Sequence, residues 1–228
     1  MKIDLSAEWI FETNDFSNMK IFDFFGTKLF YMDNFYKYPE LVFKFLNSTT
    51  PPVWKEWEQP SRNMIDFEDR RHMIDHKGMV NVYKKLGALC GQKPDHDYEV
   101  VTNYTRFKKC PNNNYKDYYW WPHHDSGYNG IIYFNDYDGK EYEGTYIYLP
   151  KDEDYILEHQ SNEHENPWTP KEEWEILLKI KAKYNRFVMF DGLKYWHGMH
   201  IHDDTWFGNN FEDADFRINQ VLFFINGK

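Results

Sequence analysis

From Glu99 onward the chain is a succession of short β-prone runs broken by turn residues. Strand-like text occupies Glu99 to Phe107, 117–124, 129–135, 143–149, Arg186 to Phe190 and Phe216 to Ile225. Ser126-Gly127 and Asp136-Tyr137-Asp138-Gly139 fall between neighbouring runs. Both combine the residues that supply unusual backbone angles and local side-chain hydrogen bonds. Strands this short and this close cannot be joined by crossover helices, so they predict an antiparallel sandwich or barrel. Residues 93–228 therefore read as a β core, with an acidic, exposed insertion at 151–168.

The first 92 residues differ in texture and read as an added layer within one domain of 228 residues. Residues 1–20 show no clear period and read as an arm. Thr27 to Met32 is the best early strand, and Pro39 opens a helix with Leu41, Val42, Phe45 and Leu46 on one stripe. Residues 51–66, with three prolines beside Trp54 and Trp57, read as a packed loop. A second helix is expected from about Asp69 to Cys90, its inner face Met73, Val80, Tyr83, Leu86 and Cys90, with Gly91 as its stop. Its His72 and His76, four apart, lack a third ligand and read as a solvated face. Thr169-Pro170-Lys171-Glu172 carries a hydroxyl cap, a first-turn proline and a glutamate. It predicts a short helix with Trp174, Leu177, Leu178 and Lys181 on one side.

Aromatic residues make up 20% of the chain and supply the bulk of a core despite its polar average. A formal charge of -10 argues against nucleic acid or an anionic membrane as the partner, because neutralising phosphates takes clustered Lys and Arg. No run approaches the roughly 20 apolar residues of a membrane span, and the N-terminus lacks the apolar core of a signal peptide. The expectation is a soluble, cytoplasmic protein. Cys90 and Cys110 are too few for a disulfide framework and read as reduced.

The chemistry concentrates in Trp121-Pro122-His123-His124-Asp125 and, far downstream, Trp196-His197-Gly198. Alternation along a strand points His123 and Asp125 to one face and His124 to the other, where it is structural or faces substrate. If the sheet brings His197 across, two imidazoles and a carboxylate share one side of an ion. That is the facial set of non-haem Fe(II) oxygenases. His200 and His202 crowd the distal histidine and would replace His197 if the register slipped. Further on, Arg217 opens a strand whose Val221-Leu222-Phe223-Phe224 run signals burial. A buried arginine needs an anionic partner, and a carboxylate suits its planar fork.

His-x-Asp at 123–125, Gly144-Thr145, Asn185 to Gly192, Trp196-His197-Gly198 and Arg217-Ile218-Asn219-Gln220-Val221 together resemble the 2-oxoglutarate- and Fe(II)-dependent oxygenase superfamily. The likeness is closest to small bacterial and phage members. It covers roughly residues 95–226 well and the N-terminal part loosely. The resemblance implies a mainly β fold with added helices, built on a double-stranded β-helix, or cupin-like jelly-roll, core. It implies His123, Asp125 and His197 as iron ligands, Arg217 on the cosubstrate carboxylate and Asn219 assisting. Tyr104, Tyr133 and Thr145, on neighbouring strands, are candidates to hydrogen-bond 2-oxoglutarate. The implied activity is hydroxylation of a small molecule or peptide using O2, with release of succinate and CO2. Nucleic-acid repair members carry a further arginine after the Arg-x-Asn pattern. Here Phe223-Phe224 stands instead, so that substrate class is not carried over. A noncatalytic jelly-roll binding module, or another metal-dependent activity on the same scaffold such as an isomerase, is the alternative, since fold alone does not set function.

Overall fold

The structure, a computed structural model, describes residues 4–47, 54–58, 69–73, 76–91, 101–102, 119–120, 122–136, 138–159, 169–199 and 219–224. Among these the protein is mainly β with added helices, and every strand pairing is antiparallel. The strands are β1 (Lys20–Phe24), β2 (Thr27–Met32), β3 (Trp54–Glu58), β4 (Asp69–Met73), β5 (Val101–Thr102), β6 (Tyr119–Trp120) and β7 (Tyr128–Tyr133). They continue with β8 (Tyr142–Pro150), β9 (Thr169–Pro170), β10 (Trp174–Ala182), β11 (Phe187–Asp191), β12 (Trp196–Met199) and β13 (Asn219–Phe224). The helices are α1 (Pro39–Asn47), α2 (Lys77–Leu89) and α3 (Glu153–His159).

Two sheets build the body. The larger runs β1-β2-β11-β7-β13, so the early hairpin extends the same sheet as the late strands, and the smaller runs β10-β8-β12. Side-chain alternation then sorts the residues into layers. Phe30, Met32, Ile132, Phe187, Met189, Leu222 and Phe224 face away from the smaller sheet, toward Phe45, Leu46, Val82 and Leu86 of α1 and α2. Their neighbours Leu29, Ile131, Tyr133, Val188, Phe190 and Val221 meet Ile147, Ile180 and Ala182 of the smaller sheet. On that sheet's far side Tyr146, Tyr148, Trp174 and Trp196 pack with Ile156 of α3. Strands β11 and β7 at the centre of the larger sheet are buried on both faces, which is why Phe187 to Phe190 reads as an unbroken apolar run.

Several elements differ from their sequence reading. The expected helix from Asp69 splits into β4 and the shorter α2, whose buried stripe is Met79, Val82, Tyr83 and Leu86. His72 consequently sits on a strand. His76 precedes the helix, buried with its ring 4.6 Å from Phe11 and 5.1 Å from Phe45. Part of the 51–66 loop is β3, paired with β4. The arm contains two 3₁₀ turns, Glu8–Phe11 and Phe16–Asn18, and the first buries Ile10 and Phe11. The largest reversal is the helix expected after Pro170. Its residues form β10, in which Trp174, Ile180 and Ala182 are buried in step with a period of two. Thr169 does not cap a helix; its hydroxyl accepts a hydrogen bond from Trp174 Nε1 at 2.8 Å. A nine-residue partner, β8, satisfies the backbone across the sheet and overrides the local capping signal. No helix among the described residues is long and apolar enough to cross a membrane.

Candidate metal centre

Three pieces of chain meet at one end of the two-sheet core. His197 comes from β12, whose neighbour in the small sheet is Ile147 of β8. His123 and His197 form an isolated antiparallel bridge, each backbone N–H donating to the other's carbonyl oxygen at 2.9 Å. Residues directly opposite in such a pair carry their side chains on the same face. The two rings accordingly stand 4.7 Å apart, centroid to centroid.

Asp125 is placed differently from the sequence reading. It lies in the loop before β7, and its N–H donates to Gly192 O at 3.0 Å. Gly192 in turn donates to Gly127 O at 2.8 Å, so the loop carrying the carboxylate is tied to the turn that precedes His197. His124 points away from the pair and packs, tilted, against the Trp196 ring at 4.0 Å, as strand alternation expects. Burial, with the nearby His197, pushes its imidazole down to about 4.

The donor atoms of His123, Asp125 and His197 lie within 4.8 Å of one another. Asp125 Oδ2 is 3.0 Å from His197 Nε2 and 3.8 Å from His123 Nε2. His197 Nδ1 is 2.9 Å from the Tyr195 carbonyl oxygen. A carbonyl only accepts, so Nδ1 carries a proton, and in the neutral ring Nε2 then presents a lone pair, the tautomer a metal ligand requires. The ring is held edge-on by Phe190 at 4.9 Å and is almost wholly shielded from solvent. Burial by itself raises the Asp125 carboxyl. The contact with His197, the neighbouring His123 ring and the hydrogen bond donated by the Asn129 amide outweigh it and hold the group well below the usual carboxylate range. Asp125 is thus an anion at neutral pH.

Of the other candidates, Tyr133 and Thr145 face each other across the two sheets, with the Tyr133 hydroxyl donating to Thr145 Oγ1 at 2.9 Å. Asn219 is the cross-strand partner of Tyr133, and its Oδ1 is buried without a hydrogen-bond partner among the described residues. Tyr104, Arg217, His200 and His202 lie outside the described residues. One residue was missed by sequence reasoning. Asn129 of β7 is buried against both Asp125 and His197. Only its parity on a strand with Ile131 and Tyr133 marks it, and that places a side chain on a face without saying what it meets.

No protein-family model matches the chain, and no curated protein matches it.

Proposed function

We propose that this protein is a non-haem Fe(II) oxygenase that uses 2-oxoglutarate and O2 to hydroxylate a small molecule or peptide, on a jelly-roll core. The observation that carries the reading is the convergence of two imidazole side chains and one carboxylate anion. Two nitrogens and one oxygen on one side suit ferrous iron better than thiolate-seeking metals. Adjacent corners of an octahedron with bonds of about 2.1 Å stand about 3 Å apart, matching the His197 to Asp125 separation of 3.0 Å.

The interior face of β7 and β13 supports the cosubstrate. Asn129 lies at the metal end, Ile131 and Val221 form an apolar rung, and the polar group of Tyr133, Thr145 and Asn219 follows. Polar ends with an apolar middle are the profile of a short dicarboxylate. Arg217, two residues before Asn219, is proposed on sequence grounds to pair with its far carboxylate.

Bound together, Fe(II), 2-oxoglutarate and O2 supply an oxidant able to remove hydrogen from an unactivated carbon, with succinate and CO2 as co-products. Each protein group has a simpler task. Tyr195 O fixes the His197 tautomer, Asp125 contributes the charge that retains a divalent cation, and Phe190 with the apolar rung keeps water from the inner side. The acidic charge of -10 favours a substrate other than nucleic acid.

The test is succinate formation by the purified chain. It is expected only when Fe(II), 2-oxoglutarate and O2 are all supplied, and to disappear in Asp125→Ala. A chain that binds Mn(II) but no 2-oxoglutarate in calorimetry would instead be a metal-holding binding module.

A further inference from the structure

We infer that Asn129 is a positioning residue of this centre, its carboxamide holding Asp125 and His197 in convergence until a metal ion takes over their lone pairs. The inference rests on the metal-binding reading above. The Asn129 side-chain nitrogen donates to Asp125 Oδ2 and stands 3.0 Å from His197 Nε2. Because the Tyr195 carbonyl claims the proton on Nδ1, Nε2 of the neutral ring, the form that ligates a metal, is an acceptor. A carboxylate oxygen and an imidazole lone pair 3.0 Å apart repel unless a donor lies beside them. The primary amide has two hydrogens for these two acceptors, so donors and acceptors match one to one.

Two further observations stand apart from that contact. Asn129 Oδ1 is buried and has no hydrogen-bond partner among the described residues, although the residue is only 1% exposed. An orphaned acceptor beside a cation-binding set is suited to a hydrogen donor that arrives with the ion, such as a coordinated water. The second is Gly192. A Cβ there would stand 2.7 Å from Asn129 Nδ2, 2.9 Å from its Cγ and 3.0 Å from Gly127 O. The backbone at Gly192 does not lie in the left-handed region, so chain conformation does not demand a glycine. The carboxamide does. Gly192 is locked by its bonds to Gly127 and Asp125 and cannot step aside for a larger side chain.

Asn129→Leu keeps the branching at Cγ and removes the donor, while Gly192→Ala displaces the amide without touching it chemically. Metal-free full-length protein is titrated with Co(II), followed by its visible ligand-field absorption. The 15N shift of His197 Nε2 is recorded before metal is added. Both variants are expected to bind Co(II) 10- to 100-fold more weakly than wild type, the usual scale for residues that orient metal ligands. In Asn129→Leu the His197 resonance also moves toward that of an unbonded nitrogen, which loss of packing alone would not produce. Folded variants with wild-type or tighter Co(II) affinity and an unmoved His197 signal overturn the inference. Should Asn129→Leu not fold, Gly192→Ala decides by the same readings. Wild-type protein that takes up no Co(II) removes the metal-centre reading itself, a different result from wild-type uptake that the variants leave unchanged.

Discussion

His123 and His197 are tied to each other through the main chain before their side chains do anything, because each donates its N–H to the other's carbonyl at 2.9 Å. The bridge fixes the two Cα positions and leaves both imidazoles on one face. Placement of the two imidazoles and their chemical identity are therefore separable.

That separation predicts the behaviour of His123→Ala. Since the bridge uses only backbone atoms, the variant should melt within a few degrees of wild type in the absence of metal. Wild type at a free ion concentration about 100 times its Kd gains about 2.7 kcal/mol. His123→Ala should gain far less. Thermal melts with and without Mn(II) measure both quantities, and an unchanged metal-induced shift in the variant would remove His123 from the centre.

Gly78 sets two effects against each other. Alanine in the first turns of α2 would gain up to about 1 kcal/mol of helix propensity. A Cβ at this position would lie 2.3 Å from Glu8 O, a backbone atom of the turn that packs on α2. Overpacking against main chain costs about 1–3 kcal/mol and wins. Gly78→Ala should lower the urea midpoint with an unaltered slope; a midpoint above wild type would contradict the tight approach.

Arg186 is 3% exposed and carries its charge inside the protein. It donates to Asp33 through Nε at 2.6 Å and a terminal nitrogen at 3.2 Å, pairs with Glu141 at 2.7 Å and lies over the Tyr31 ring. Burial alone raises the Asp33 carboxyl, but the hydrogen bond and charge of Arg186 outweigh it and set the group below its usual range. A carboxylate with a depressed folded-state pKa contributes stability above its unfolded pKa of about 3.9 and loses it as pH falls through the folded value. Asp33→Asn should therefore be less stable than wild type at neutral pH, by about 1 kcal/mol given the partial exposure of Asp33. The gap should close in acid. Denaturation midpoints from pH 7 down to pH 3 test the sign, and a gap that widens on acidification would refute it.

Cys90 follows α2 with its thiol turned back toward the Leu86 and Gly87 carbonyls, and burial pushes its pKa up to about 12. The thiolate is the reactive form. In a Cys110→Ser background, iodoacetamide at pH 8 should leave the native protein unmodified and label the urea-unfolded chain fully, as read by mass spectrometry. Rapid native labelling would show that the half-buried thiol is not held in its protonated form.

Elements whose local period agrees with their burial were legible from the amino-acid text. Thr27–Met32 and Pro39–Asn47 form the strand and helix that alternation and spacing expect, and the runs around β7, β8 and β11 are strands. Trp174 to Ala182 was not legible as a strand, because Thr169-Pro170-Lys171-Glu172 is a valid helix start that only the ladder with β8 cancels. Asp69–Met73 was misread for the same reason, its strand being decided by β3 and β5 on either side. At the site, His123 and His197 were found by residue type and context. Asp125 was found through a parity rule, although a loop bonded to Gly192 is what places it.

What the sequence determined alone is the stock of local preferences: where strands and turns can lie, which side chains can ligate a metal, and an acidic net charge. Which of those groups meet was decided in three dimensions. The bridge of residue 123 to residue 197, the carboxamide of Asn129 between Asp125 and His197 and the glycine that makes room for it depend on strand register. Register is settled by backbone pairing and core packing between segments far apart in the chain, where a shift of one residue turns every side chain to the opposite face.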